Sequence, residues 1–159
     1  MSKRKIATII LVVLIVATLI FIWGNSIESV TESQQKSKEV LEVIRPVLEK
    51  IVEKEKVTDH LVRKMAHFVE FSALGIELAL LLIVLRRVRW QGIFYTAYFG
   101  LTVALFDETI QIFSDRGSQV IDVWLDFSGV CFGIVCVLIV YGIVNAIMAG
   151  RKHKRRENS

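Results

Sequence analysis

Cysteine is scarce in this chain and proline scarcer: Cys131, Cys136 and Pro46 are all there are in 159 residues. Both thiols stand inside an apolar run without the two-residue spacing of a redox or zinc pair, which leaves them as packing residues. Also missing are an H-E-x-x-H helix, a serine elbow and a C-x-x-C pair, so no motif diagnostic of a metalloprotease, serine hydrolase or thiol centre is present. There is no long internal repeat and no low-complexity tract. The first apolar run, Ile6 to Trp23, follows Lys3, Arg4 and Lys5 as a signal peptide would. It exceeds the usual apolar length of about 7 to 15 residues, and no A-x-A-like cleavage site follows, so it reads as a retained first span.

Apolar residues, by contrast, are abundant. They make up 53% of the chain, and the mean hydropathy is +0.53. A single domain of this length with that composition is expected to have lipid as its solvent. A pI near 9.2 and a net charge of +4 would suit nucleic acid. The basic residues stand beside apolar runs, however, where they orient a membrane protein, so nucleic-acid binding is not expected.

Four segments are apolar for about the 20 residues that a helix needs to cross the hydrocarbon core. They are 6–23, 65–85, 90–113 and 120–148. Basic clusters precede the first (Lys3, Arg4, Lys5), separate the second from the third (Arg86, Arg87, Arg89) and follow the fourth (Arg151, Lys152, Lys154, Arg155, Arg156). All three fall on one side, which predicts that this side and both termini are cytoplasmic. The expected fold is therefore all-α: a polytopic membrane protein of four transmembrane helices with a basic cytoplasmic tail at 149–159. Trp23, Trp90 and Trp124 are expected as interfacial anchors.

The outer segment, 24–62, starts polar and then places apolar residues at Val40, Leu41, Val43, Ile44, Val47, Leu48, Ile51 and Val52. That spacing predicts an extracytoplasmic amphipathic helix between the first and second spans. Pro46 should kink it or start a second short helix. Thr58 or Asp59 is placed to cap the next span. The segment serves either as a connector packed on the bundle or as a lid over a site.

Charged side chains inside spans are costly, roughly 2.5 to 3.5 kcal/mol at a helix centre, so several in one chain require a reason. Their placement supplies one. Lys64, His67 and Glu70 fall where the second span enters from outside. Asp107, Glu108 and Gln111 fall where the third leaves, and Asp122 and Asp126 where the fourth starts. His67 and Glu70 share a helix face with Phe71 and Leu74; Asp107 and Gln111 are four apart; Asp122, Asp126, Gly129 and Gly133 continue one face. Three polar faces are thus expected to meet in an outward-facing pocket, with Arg116 in the turn beside it. Glu77, about 10 Å deeper by helical rise, either extends the pocket inward or pairs with a neighbour. Gly129 and Gly133 form a small-xxx-small pattern that admits a close helix neighbour.

Lys64, His67 and Phe68, then Asp107, Glu108 and Gln111, then Arg116, Asp122 and Gly129, are the residues by which this chain resembles the VanZ-like family of bacterial membrane proteins. The resemblance covers about Arg63 to Val140. Asp126 stands where that family typically has asparagine, and the turn before Arg116 reads Phe113, Ser114, Asp115 without the proline often found there. The resemblance implies a bacterial cytoplasmic-membrane protein of the cell envelope that alters susceptibility to teicoplanin-type glycopeptides, but it supplies no reaction.

Three readings of the polar set stay open in the sequence. As an enzyme site, His67 would be a general base or metal ligand, Glu70, Asp107, Glu108 and Asp122 would hold a divalent cation, and Arg116 would grip a phosphate of a lipid-linked or phospholipid substrate. As a binding site, the same groups would hold a lipid head group, a lipid-linked wall precursor or the glycopeptide. As a structural network, His67, Glu70, Asp107, Glu108, Gln111, Arg116, Asp122 and Asp126 would join three helices. A proton pathway is disfavoured, because Glu77 and Asn145 are nearly alone in the inner halves of the spans.

Overall fold

The computed structural model describes residues 2–28, 30–50, 57–113 and 119–157, with all their side chains except those of 30 and 152–157. Five helices make up the described chain: α1 (Lys3–Ile27), α2 (Val30–Leu48), α3 (Asp59–Val84), α4 (Trp90–Phe113) and α5 (Val120–Glu157). Among the described residues there is no strand.

Local chemistry explains most of the boundaries. Ser2 caps α1 by accepting the Lys5 amide, and Thr58 caps α3 by accepting the Leu61 amide at 3.2 Å. Pro46 lies in the last turn of α2, which ends two residues later. A second short helix beginning in 51–56 would lie outside the described residues. α3 ends in a Schellman-type turn, with Arg87 N–H donating to the Leu82 carbonyl and Arg86 N–H to that of Ile83. Arg86 holds the left-handed position at φ 56°, where glycine is the usual occupant. The basic tail is not a separate segment at its start: α5 continues unbroken through it to Glu157.

Helix directions follow from cross-contacts. The Arg4 guanidinium donates to the Leu85 carbonyl, so the start of α1 meets the end of α3. Lys64 near the start of α3 pairs with Asp122 near the start of α5, so those two helices run parallel. α4 joins the end of α3 to the start of α5 and therefore runs against both. The basic residues at the start of α1 and between α3 and α4 consequently gather at one end of the bundle, and the carboxylates at the other.

Three helices, α1, α3 and the 120–151 portion of α5, are long and apolar enough to cross a membrane. The exposed surface agrees with lipid as solvent. On α1 alone Ile9, Ile10, Val13, Leu14, Val16, Ile20 and Phe21 are exposed, while Asp107, Glu108, Gln111 and Asp126 are buried. This is the inverse of a water-soluble protein.

Lipid is as apolar as leucine, so close packing and hydrogen bonds must hold such helices together. α3 and α5 form the largest interface. It rests on glycines: a Cβ on Gly129 would lie 2.6 Å from the Phe68 carbonyl oxygen, and one on Gly133 would run into the Ser72 carbonyl. Gly75 answers from α3 by accommodating the backbone of Val130, whose side chain lies on Gly100 of α4. Val130, Phe71, Leu74 and Ile22 are fully buried around this crossing. A second, smaller cluster packs Leu41, Ile44 and Leu48 of α2 on Val57 and Val62, holding α2 across the start of α3. Val40, Val43 and Val47 of α2 remain exposed. Trp90 and Trp124 are exposed as well, whereas Trp23 packs against the core.

Candidate functional site

Asp107 is the centre of the polar end. It is fully buried on α4 and accepts two hydrogen bonds: from Ser26 Oγ of α1 at 2.6 Å, on Oδ1, and from Gln111 Nε2 one turn away at 2.8 Å, on Oδ2. His67 of α3 brings Nδ1 to 3.7 Å from Asp107 Oδ2 and 3.9 Å from Asp126 Oδ1 of α5. Its ring is oriented by a stacked contact with Phe71, one turn on. Oδ2 of Asp126, itself buried, has no hydrogen-bond partner. Single groups on α3, α4 and α5 therefore converge on one point, and α1 supplies a donor to it.

Around this centre the other predicted residues take separate positions. Glu70 accepts from Asn25 Nδ2 at 3.0 Å. Asp122 is paired with Lys64 at 2.6 Å, a closer partner than any that the spacing alone indicated. Glu108 is buried beside Asp107 on α4. Glu77 stands apart, seven residues beyond Glu70 and so about two helical turns deeper, where Thr18 donates to it at 2.9 Å. It pairs with that neighbour, away from the His67 centre. Arg116 lies outside the described residues.

Sequence reasoning missed α1. Thr18, Asn25 and Ser26 each donate to a carboxylate of another helix. The available signal was small: two hydroxyls, Thr8 and Thr18, within an apolar run, and an amide and a hydroxyl just after it.

A cavity of about 150 Å³ opens between α1, α2 and α3 and reaches the polar centre from the side. Its lining includes Asn25, Ser33, Ser37, Arg63, His67 and Glu70, with Lys36 and Glu28 as an ion pair at the wall. Ser37 turns its hydroxyl back to the Ser33 carbonyl. His67 thus belongs to both parts of the site: it lines the cavity and faces the buried carboxylates. Asp107, Asp126 and Gln111 do not line the cavity and stand behind that imidazole. Such an arrangement offers an entering molecule charge of both signs, hydrogen-bond donors and acceptors, and a histidine backed by acid.

Residues 8–141 match the model of a family described as VanZ/LLP1. The match extends well beyond the motif residues of α3 to α5 and takes in most of α1. No curated protein and no solved structure shows significant similarity to the chain.

Proposed function

The chain belongs to the VanZ/LLP1 family, and from that premise we propose that it is a four-span protein of the bacterial cytoplasmic membrane whose outer cavity binds a lipid head group or a lipid-linked wall precursor. Binding there alters susceptibility to teicoplanin-type glycopeptides. The observation that carries this reading is the cavity under α2, with His67 and Glu70 in its lining and Lys36 and Arg63 among its basic groups. Anionic head groups suit guanidinium and ammonium partners, and the hydroxyls and amide of Ser33, Ser37 and Asn25 add neutral contacts.

The third span of the four is α4. Its 24 residues reach about 36 Å, enough to cross the hydrocarbon core. It runs antiparallel between two parallel helices that are themselves long and apolar enough to span, and it exposes Phe94, Tyr98, Leu105 and Phe106 along its length. The gathered basic end is cytoplasmic by the charge bias of membrane insertion, which turns the carboxylate end outward. α2 then lies on the outer surface as an amphipathic lid, with Val43 and Val47 toward the lipid interface.

A second reading, catalysis on the same bound lipid, is favoured by one observation: His67 touches both the cavity and the carboxylates of Asp107 and Asp126. A histidine so placed can take a proton from a cavity-bound nucleophile while acids behind it stabilise its charge.

The test is teicoplanin susceptibility of a sensitive host expressing the wild type and His67→Ala, Asp107→Asn, Glu108→Gln and Arg116→Ala, with membrane abundance measured for each. The wild type raises the minimum inhibitory concentration, and equally abundant site variants return it to that of empty-vector cells. Unchanged protection by every variant would assign the polar set to architecture, and no protection by the wild type would remove the link to glycopeptides.

A further inference from the structure

We propose that His67, Asp107 and Asp126 form a binding site for one divalent transition-metal cation of the zinc or manganese type, set between α3, α4 and α5 behind the cavity. One ligand atom from each of the three lies within 4.8 Å of the other two. The two separations from His67 Nδ1 are 3.7 and 3.9 Å. Metal–ligand bonds of about 2.0–2.2 Å set neighbouring ligand atoms roughly 3.0–3.5 Å apart, so the two His67 separations need to close by only a few tenths of an ångström. One imidazole with two carboxylates is a donor set for zinc, manganese or ferrous iron, and lacks the all-oxygen character that calcium prefers.

Two further observations point to a ligand. Asp126 has a side-chain relative exposure of 2%, yet its Oδ2 has no hydrogen-bond partner, an expensive state for a buried carboxylate that a cation relieves. Asp107, in turn, is held on both oxygens, by Ser26 Oγ and Gln111 Nε2. Metal-binding carboxylates are oriented by such hydrogen bonds from behind. The three ligands come from three helices, so the ion would also tie α3, α4 and α5 together at one point.

Three protein ligands leave at least one position for water or for an oxygen of a molecule in the cavity, which His67 borders. That last role rests on the cavity reading; metal binding itself does not.

The experiment uses the purified full chain in detergent micelles, stripped with chelator and titrated with Zn²⁺ alone and Mn²⁺ alone, with bound metal counted by elemental analysis after desalting. The wild type takes up about one equivalent of one of these ions in the presence of excess Mg²⁺. Asp126→Asn and His67→Gln each weaken uptake by at least about tenfold, while Glu77→Gln, which alters a carboxylate elsewhere in the bundle, binds like the wild type. Monodispersity and helical content are measured for each variant, and Asp126→His, which restores a ligand of different chemistry, regains binding. Failure of the folded wild type to retain either ion, or equal retention by Asp126→Asn and His67→Gln, would overturn the proposal. Susceptibility that depends on His67 without any bound metal would leave the cavity reading standing and sink this one.

Discussion

Lys64 and Asp122 stand one at the start of α3 and one at the start of α5, and their 2.6 Å ion pair holds the parallel helices in register at the carboxylate end. Both side chains are partly exposed, at 29% and 19%, so the pair is worth modestly more than a surface one, about 1 kcal/mol. Lys64→Asp and Asp122→Lys should each lower the thermal midpoint in detergent. The double exchange should recover part of the loss. Recovery is incomplete because a lysine in the first turn of α5 opposes the helix dipole, whereas Asp122 favours it.

Gly133 tolerates no side chain, since a Cβ there would collide with the Ser72 carbonyl oxygen of α3. Gly133→Val should push α5 from α3 and destabilise the fold by about 1–3 kcal/mol, the usual cost of overpacking. Gly142→Val on the same helix, where nothing approaches within 4 Å, should be neutral. Thermal unfolding followed by fluorescence-detected gel filtration compares the two directly. Equal midpoints would mean that α3 and α5 do not cross at these glycines.

The Ser26 hydroxyl meets Asp107 where neither is exposed to solvent. Ser26→Ala should cost about 1 kcal/mol, in the range of interhelical hydrogen bonds in membranes, and more than Thr102→Ala, whose hydroxyl bonds only its own helix. A smaller effect for Ser26 than for Thr102 would show that Asp107 is satisfied without α1.

Arg86 occupies a left-handed backbone position at the end of α3. Arg86→Gly should relieve strain of about 1 kcal/mol in that turn. Arg86→Val should lower the midpoint, and a valine variant as stable as the wild type would rule out the positive φ.

Much of the polar end was legible from sequence because charge inside an apolar run is expensive and therefore conspicuous. His67, Asp107, Gln111 and Asp126 do come together, and the Gly129–Gly133 face does meet another helix. Pairing between helices was not legible. Asp122 takes Lys64, an outcome fixed by the register of α3 against α5, which no local spacing encodes. The α1 donors were invisible for a different reason: one hydroxyl or amide in a span costs little, so Thr18, Asn25 and Ser26 raise no signal of their own. At Pro46 the sequence predicts a kink or a second short helix; the proline stands in the last turn of α2, and a second helix would begin outside the described residues.

Those three donors bear on how the protein is made. A chain synthesised from its amino end delivers α1 to the bilayer before the carboxylates of α3 and α4 exist. Glu77, Glu70 and Asp107 then arrive in lipid with hydroxyl and amide groups already waiting at matching depths. α1 thus carries partners for three acids of the helices that follow it, and an unrelated anchor of equal hydropathy would lack those three donors.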